Sequence, residues 1–131
     1  MRNLWAVAIG AATGGVARYF LGGMIQQRAG ADFPFGTFVI NVTGSLLLGF
    51  LLRYSLQSGA VSEELRLFLT TGFCGGYTTF STFSYDTLML VQDREYGRAG
   101  LYVAGSVLLS LIAVAIGFAA ANYVVTMRAE G

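Results

Sequence analysis

The sequence predicts an all-α membrane protein: one domain spanning residues 1–131, built from four transmembrane helices, the third of them interrupted. Three observations carry this expectation. Charged residues make up 11% of the chain, against roughly a quarter in soluble domains. Hydrophobic residues make up 55%, and 18 glycines add further uncharged length. The few charges fall in short clusters, and the runs between them match the ~20 apolar residues that cross a hydrocarbon core.

Span one is expected over residues 3–27, uncharged except for Arg18. Arg2 and the apolar stretch after it imitate a signal peptide, but the apolar character persists to Ile25, which argues for a retained span. Residues 33–52 form span two and carry no charge. Span three covers residues 67–92, with Asp86 inside it, and span four covers 99–127. Trp5, Tyr19, Tyr54, Tyr96 and Tyr123 lie near the proposed ends, where amphipathic rings favour the headgroup region. Gly10/Gly14 and Gly72/Gly76 have small-xxx-small spacing, which permits close helix contact.

Composition excludes several classes of function. With no His and one Cys, imidazole catalysis, zinc clusters and an intramolecular disulfide are ruled out. A net charge of +1 offers no electrostatic footprint for nucleic acid. No paired intramembrane carboxylates or reactive-Cys setting suggests an enzyme. Orientation is weakly specified: Arg2, Arg53, Arg66 and Arg128 fall on one side, and Arg28, Arg94 and Arg98 on the other. So small a bias leaves two readings, a single weakly set topology or insertion both ways, and the second permits an antiparallel homodimer.

Polar groups at membrane depth are costly and therefore informative. Asn41 in span two is either interhelical glue or a ligand donor, and Ser45 shares its face. Span three carries eight Ser and Thr residues between positions 70 and 87, together with Gly72, Gly75 and Gly76. Adjacent glycines and the β-branched Thr78–Thr79 disfavour helix, so a break is expected near 75–79. Carbonyls freed at such a break suit a small cation. Phe80 and Phe83 share a face. They either pack together or present positive ring edges to an anion. In span four, Tyr102, Ser106 and Ser110 recur every fourth residue, as a donor track or as hydroxyls bonded back to their own helix. Arg18 snorkels, pairs with an acid or faces a wet cavity. Asp86 is its candidate partner or a vestibule residue, and Cys74 is a small apolar filler.

Three segments, GGVARYFLG, FGTFVINVTGSLLLG and TGFCGGYTTFSTFS, together with the Tyr102/Ser106/Ser110 spacing, resemble the Fluc/CrcB family of fluoride channels over essentially the whole chain. The resemblance implies a dual-topology antiparallel homodimer with two F⁻-selective pores in the cell's inner (plasma) membrane, letting F⁻ leave the cytoplasm passively. On that pattern Asn41 offers its amide to the ion and Phe80 and Phe83 line the pores. Tyr102, Ser106 and Ser110 continue the path, with Ser81, Thr82 and Ser84 as further hydroxyls. Backbone carbonyls of Gly75 and Thr78 from both subunits would hold one structural Na⁺ on the dimer axis, and Arg18 would stand near the vestibule. Asp86 departs from the glutamate usual in the family, keeping the charge with one methylene less reach. Two other readings compete: a small dual-topology multidrug or cation exporter, which needs an acid where span one has Arg18, and a structural subunit of a membrane complex.

Overall fold

The computed structural model describes residues 1–131 and is entirely helical. Helix α1 runs Arg2–Ala29, α2 Phe35–Ser58, α3 Glu63–Leu67, α4 Gly75–Tyr77, α5 Phe80–Gln92 and α6 Tyr96–Glu130. A π-helical segment, Phe68–Cys74, joins α3 to α4. Three of these helices, α1, α2 and α6, are long and apolar enough to cross a membrane. The third apolar stretch of the chain is the composite from α3 to α5.

Local chemistry sets the ends. Gly30 and Gly59, at φ 91° and 62°, stop α1 and α2 in backbone that only glycine adopts freely. Ser62 caps α3 by accepting from the Leu65 N–H at 3.2 Å, and Glu63 and Glu64 in the first turn suit the positive end of the helix dipole. Between α4 and α5 the chain is extended at Thr78 (φ −86°, ψ 158°) and Thr79 (φ −150°, ψ 120°). Thr79 then caps α5, its hydroxyl accepting from the Thr82 N–H at 3.1 Å.

Packing depends on missing side chains. A Cβ placed on Gly10 would lie 2.9 Å from the Gly72 Cα, one on Gly14 3.0 Å from the Phe73 Cα, and one on Gly76 3.0 Å from the Ala11 Cα. Both small-xxx-small pairs seen in the sequence are therefore consumed inside one chain, pressing α1 onto the π segment and α4. A second seam joins α2 and α6, where a Cβ on Gly49 would meet the Val114 Cα at 3.1 Å and one on Gly117 the Phe50 N at 2.8 Å. These two helices run parallel, as Gly49–Val114 and Arg53–Asn122 contacts require.

Only 18 of 131 residues are buried, so the chain lacks a water-excluding core of its own. Leu101, Leu108, Leu111, Ile116 and many other large apolar side chains are exposed. A soluble protein would not leave such area uncovered, whereas a bilayer would cover it.

Candidate functional site

Extended backbone at membrane depth must find hydrogen-bond partners within the protein, and Asn41 supplies them. Its Nδ2 donates to the Thr79 carbonyl at 3.0 Å, and its Oδ1 accepts from the Thr79 N–H at 2.7 Å. One side-chain amide thus closes both polar groups of Thr79, as a neighbouring strand would. These two bonds use one Nδ2–H, so the glue role leaves the other N–H free to donate.

Diverting these N–H groups has a consequence for the carbonyls. In a continuous α-helix, Thr79 N–H would bond the Gly75 carbonyl and Thr82 N–H the Thr78 carbonyl. Here Thr79 N–H donates to Asn41 and Thr82 N–H to the Thr79 hydroxyl. Both carbonyls named in the sequence as cation ligands therefore lose their helical donor.

Two concavities of about 600 Å³ each flank this latch, and Thr79 borders both. The first brings together Asn41, Gly75, Thr78, Phe80, Phe83, Ser106 and Ser110. The second contains Arg18, Thr82, Asp86 and Arg98. Seven of the ten sequence-predicted site residues thus converge on one cavity, two fall in the other, and Tyr102 borders neither.

Tyr102 is wholly buried. Its hydroxyl donates to the Asp86 carboxylate at 3.1 Å, toward the second concavity. Its ring lies edge-on to Phe33 at 5.5 Å and tilted against Phe83 at 5.2 Å. The three-residue line on α6 is accordingly divided: Ser106 and Ser110 face the first cavity, while Tyr102 borders neither and bonds Asp86. Phe83 packs on Tyr102, whereas Phe80, 5.6 Å from Phe83 between centroids, is 80% exposed.

Most hydroxyls near the break are spent on their own helices. Ser45 donates to Asn41 O at 2.7 Å, Thr78 to Cys74 O at 2.9 Å and Ser84 to Phe80 O at 2.9 Å. Ser81 and Thr82 cluster on the Thr79 hydroxyl at 3.2 Å. Ser110 makes no such bond, and Ser106 stands out further because its Oγ is buried and has no partner. An orphaned hydroxyl in low dielectric is unfavourable unless a ligand or water meets it.

Arg18 makes no ion pair with an acid. Its Nε donates to the Gly76 carbonyl at 3.1 Å, satisfying the end of α4, and the side chain borders the second concavity. Asp86 bonds Tyr102 instead, and the ion pairs of the chain are Arg2–Glu64 and Arg98–Glu95. Cys74 is buried beside the first cavity. The residue that sequence reasoning passed over is Thr79, which is cap, latch partner and wall of both concavities. Its signal was a Thr immediately before a helical run, the usual N-cap position.

The arrangement offers uncharged donors and aromatic rings around one space, with Arg18 and Asp86 set apart in the other. A family model described as "CrcB-like protein, Camphor Resistance (CrcB)" matches residues 5–118. Similar proteins include a "Fluoride-specific ion channel FluC" of Geobacter sulfurreducens, 46% identical over 93% of this chain and 98% of that one. Proteins of the same name from Thermus thermophilus and Rhizobium meliloti are 48% and 44% identical, over 90% and 91% of this chain and 94% and 95% of theirs.

Proposed function

The chain belongs to the CrcB family, and from that membership we propose that it is a fluoride-specific ion channel, a passive route by which F⁻ leaves the cytoplasm. The observation that carries the reading is the convergence of Asn41, Phe80, Phe83, Ser106 and Ser110 on one cavity, with an unpartnered buried hydroxyl among them. Fluoride is small and strongly hydrated, so its water must be replaced by donors rather than simply removed. The free Nδ2–H of Asn41 and the Ser106 hydroxyl are such donors. Both are neutral, which keeps each binding step weak enough to be reversed. Phenyl edges at Phe80 and Phe83 add positive electrostatic potential without a fixed charge.

The working unit is an antiparallel homodimer of dual topology, with four spans per chain, in the plasma membrane. The exposure of Phe80 and the open, mostly apolar wall of the first cavity support it, because a second copy would cover both. Carbonyls of Gly75 and Thr78, deprived of their helical donors, fit one Na⁺ held between two copies. Bound there, the ion would offset carbonyl dipoles that the break leaves without a helical N–H donor. Asn41 fixes the break, Arg18 satisfies the Gly76 carbonyl beside it, and Tyr102 with Asp86 anchors the ring of Phe83. An exporter of cations would need its acid in the first span, where this chain has Arg18.

The test is F⁻ efflux from liposomes containing the purified protein, with Cl⁻ alongside. Fast F⁻ loss with Cl⁻ retained is the expected result. F⁻ loss no faster than from empty liposomes, or equal loss of Cl⁻, overturns the assignment.

A further inference from the structure

On the side of α2 away from the Asn41 cavity, Thr43, Leu46, Leu47 and Phe50 form one stripe at helical spacing. With Tyr77 and Gly117 they bound an apolar groove of about 560 Å³. The Thr43 and Tyr77 hydroxyls in it satisfy each other at 2.9 Å, so its wall asks nothing of water.

The stripe ends in Arg53 and Tyr54. Arg53 Nε donates to Asn122 Oδ1 at 2.7 Å, with its guanidinium 4.5 Å from the centroid of Phe118. Arg128 sits 5.7 Å over the Tyr54 ring and donates to its hydroxyl. Tyr54 in turn stacks on Phe50 at 5.8 Å and 5°. Groove and arginines are therefore one continuous surface. Neither guanidinium has a carboxylate partner, since the ion pairs are Arg2–Glu64 and Arg98–Glu95. Two cations at the end of one stripe, neither in an ion pair, form an anion-seeking pair at the head of an apolar channel.

The length matches a lipid. From Arg53 to Thr43 the helix rises about 15 Å, about half of a ~30 Å hydrocarbon core. We propose that this face binds an anionic phospholipid, its phosphodiester between Arg53 and Arg128 and one acyl chain lying along the groove toward mid-membrane. A zwitterionic headgroup would bring its own cation against the two guanidiniums, so the site discriminates by headgroup charge. The proposal rests on the chain spanning a bilayer and is independent of which ion it conducts.

Native mass spectrometry of the purified protein in mild detergent, with phosphatidylglycerol or phosphatidylcholine added at equal concentration, tests it. Wild type should carry more phosphatidylglycerol, with about fivefold of the preference owed to each arginine. R53Q/R128Q should bring the two lipids to parity, and Leu47→Trp, filling the groove with both arginines intact, should lower phosphatidylglycerol binding. Equal binding of both lipids to wild type, or an undiminished preference in R53Q/R128Q, overturns the proposal, as does unchanged binding in Leu47→Trp. Should the double variant not fold, R128Q decides: Arg128 is exposed, and an unaltered preference without it is equally fatal.

Discussion

Replacing Asn41 by Leu separates what the side chain does for the fold from what it does for an ion. The substitution keeps volume and removes two hydrogen bonds, of 3.0 and 2.7 Å, to Thr79. By the yardstick of soluble proteins, each buried group left unpaired costs about 1–3 kcal/mol, giving about 2–6 for the pair. Interhelical hydrogen bonds measured in membranes are weaker, about 0.6 and at most about 1.7 kcal/mol each. The membrane scale is the better guide because the break borders two concavities from which water can reach Thr79. Asn41→Leu should therefore lose about 1–3 kcal/mol, read by equilibrium unfolding in mixed micelles, and F⁻ efflux from liposomes should fall at least tenfold. Asn41→Asp sharpens the comparison. Its carboxylate still accepts from the Thr79 N–H but sets its other oxygen against the Thr79 carbonyl, so little of the stability should return, while flux stays low because the side chain is anionic and has no N–H. Full stability in Asn41→Leu would refute the latch, and restored flux in Asn41→Asp would refute the donor role.

Ser106→Ala deletes a buried hydroxyl that has no partner; stability should hold or rise by about 1 kcal/mol while F⁻ efflux drops, and a clear loss of stability would show that the hydroxyl is bonded within the protein. Gly10→Leu places a side chain where the Gly72 Cα lies 2.9 Å from the Cβ position, so overpacking of about 1–3 kcal/mol or more should appear as lower thermal stability; an unshifted melting curve would mean that the α1 seam is not tight. Phe80→Ile and Phe83→Ile should both cut F⁻ flux with the dimer intact on size exclusion, and normal flux in both returns the rings to a packing role. Tags at either terminus should be accessible from both sides of the membrane, whereas labelling from one side only contradicts dual insertion.

Helices α1, α2 and α6 were legible because charge-free runs of bilayer length leave little else for a chain to do. Convergence of Asn41, Phe80, Phe83, Ser106 and Ser110 on one cavity was legible only through the family resemblance, because spacing within a span does not say which spans meet. Less visible was the division of labour in the third apolar stretch. Gly75 and Gly76, with the β-branched Thr78 and Thr79, suggested a break over 75–79; the threonines are extended, yet both glycines are helical. Gly76 is instead required by close approach to Ala11, a tertiary demand that propensity does not register. Nor could periodicity foresee that Tyr102 would turn from Ser106 and Ser110 toward Asp86, since the long tyrosine side chain carries its hydroxyl well away from its own helix. The π segment has no comparable signal in the sequence, because its surplus residue alters neither hydropathy nor charge.

That π segment, Phe68–Cys74, acts as a length buffer. A turn closed by i→i+5 bonds holds one residue more than an α turn, so the surplus is absorbed without re-aiming what lies on either side. Deleting one residue within it should convert the stretch to ordinary α-helix and leave Gly76 still facing Ala11. The same deletion in α4 or α5 has no such slack to consume and would swing every later side chain about 100° around the axis. Tolerance to single-residue loss should therefore be concentrated in this one short window of the composite span.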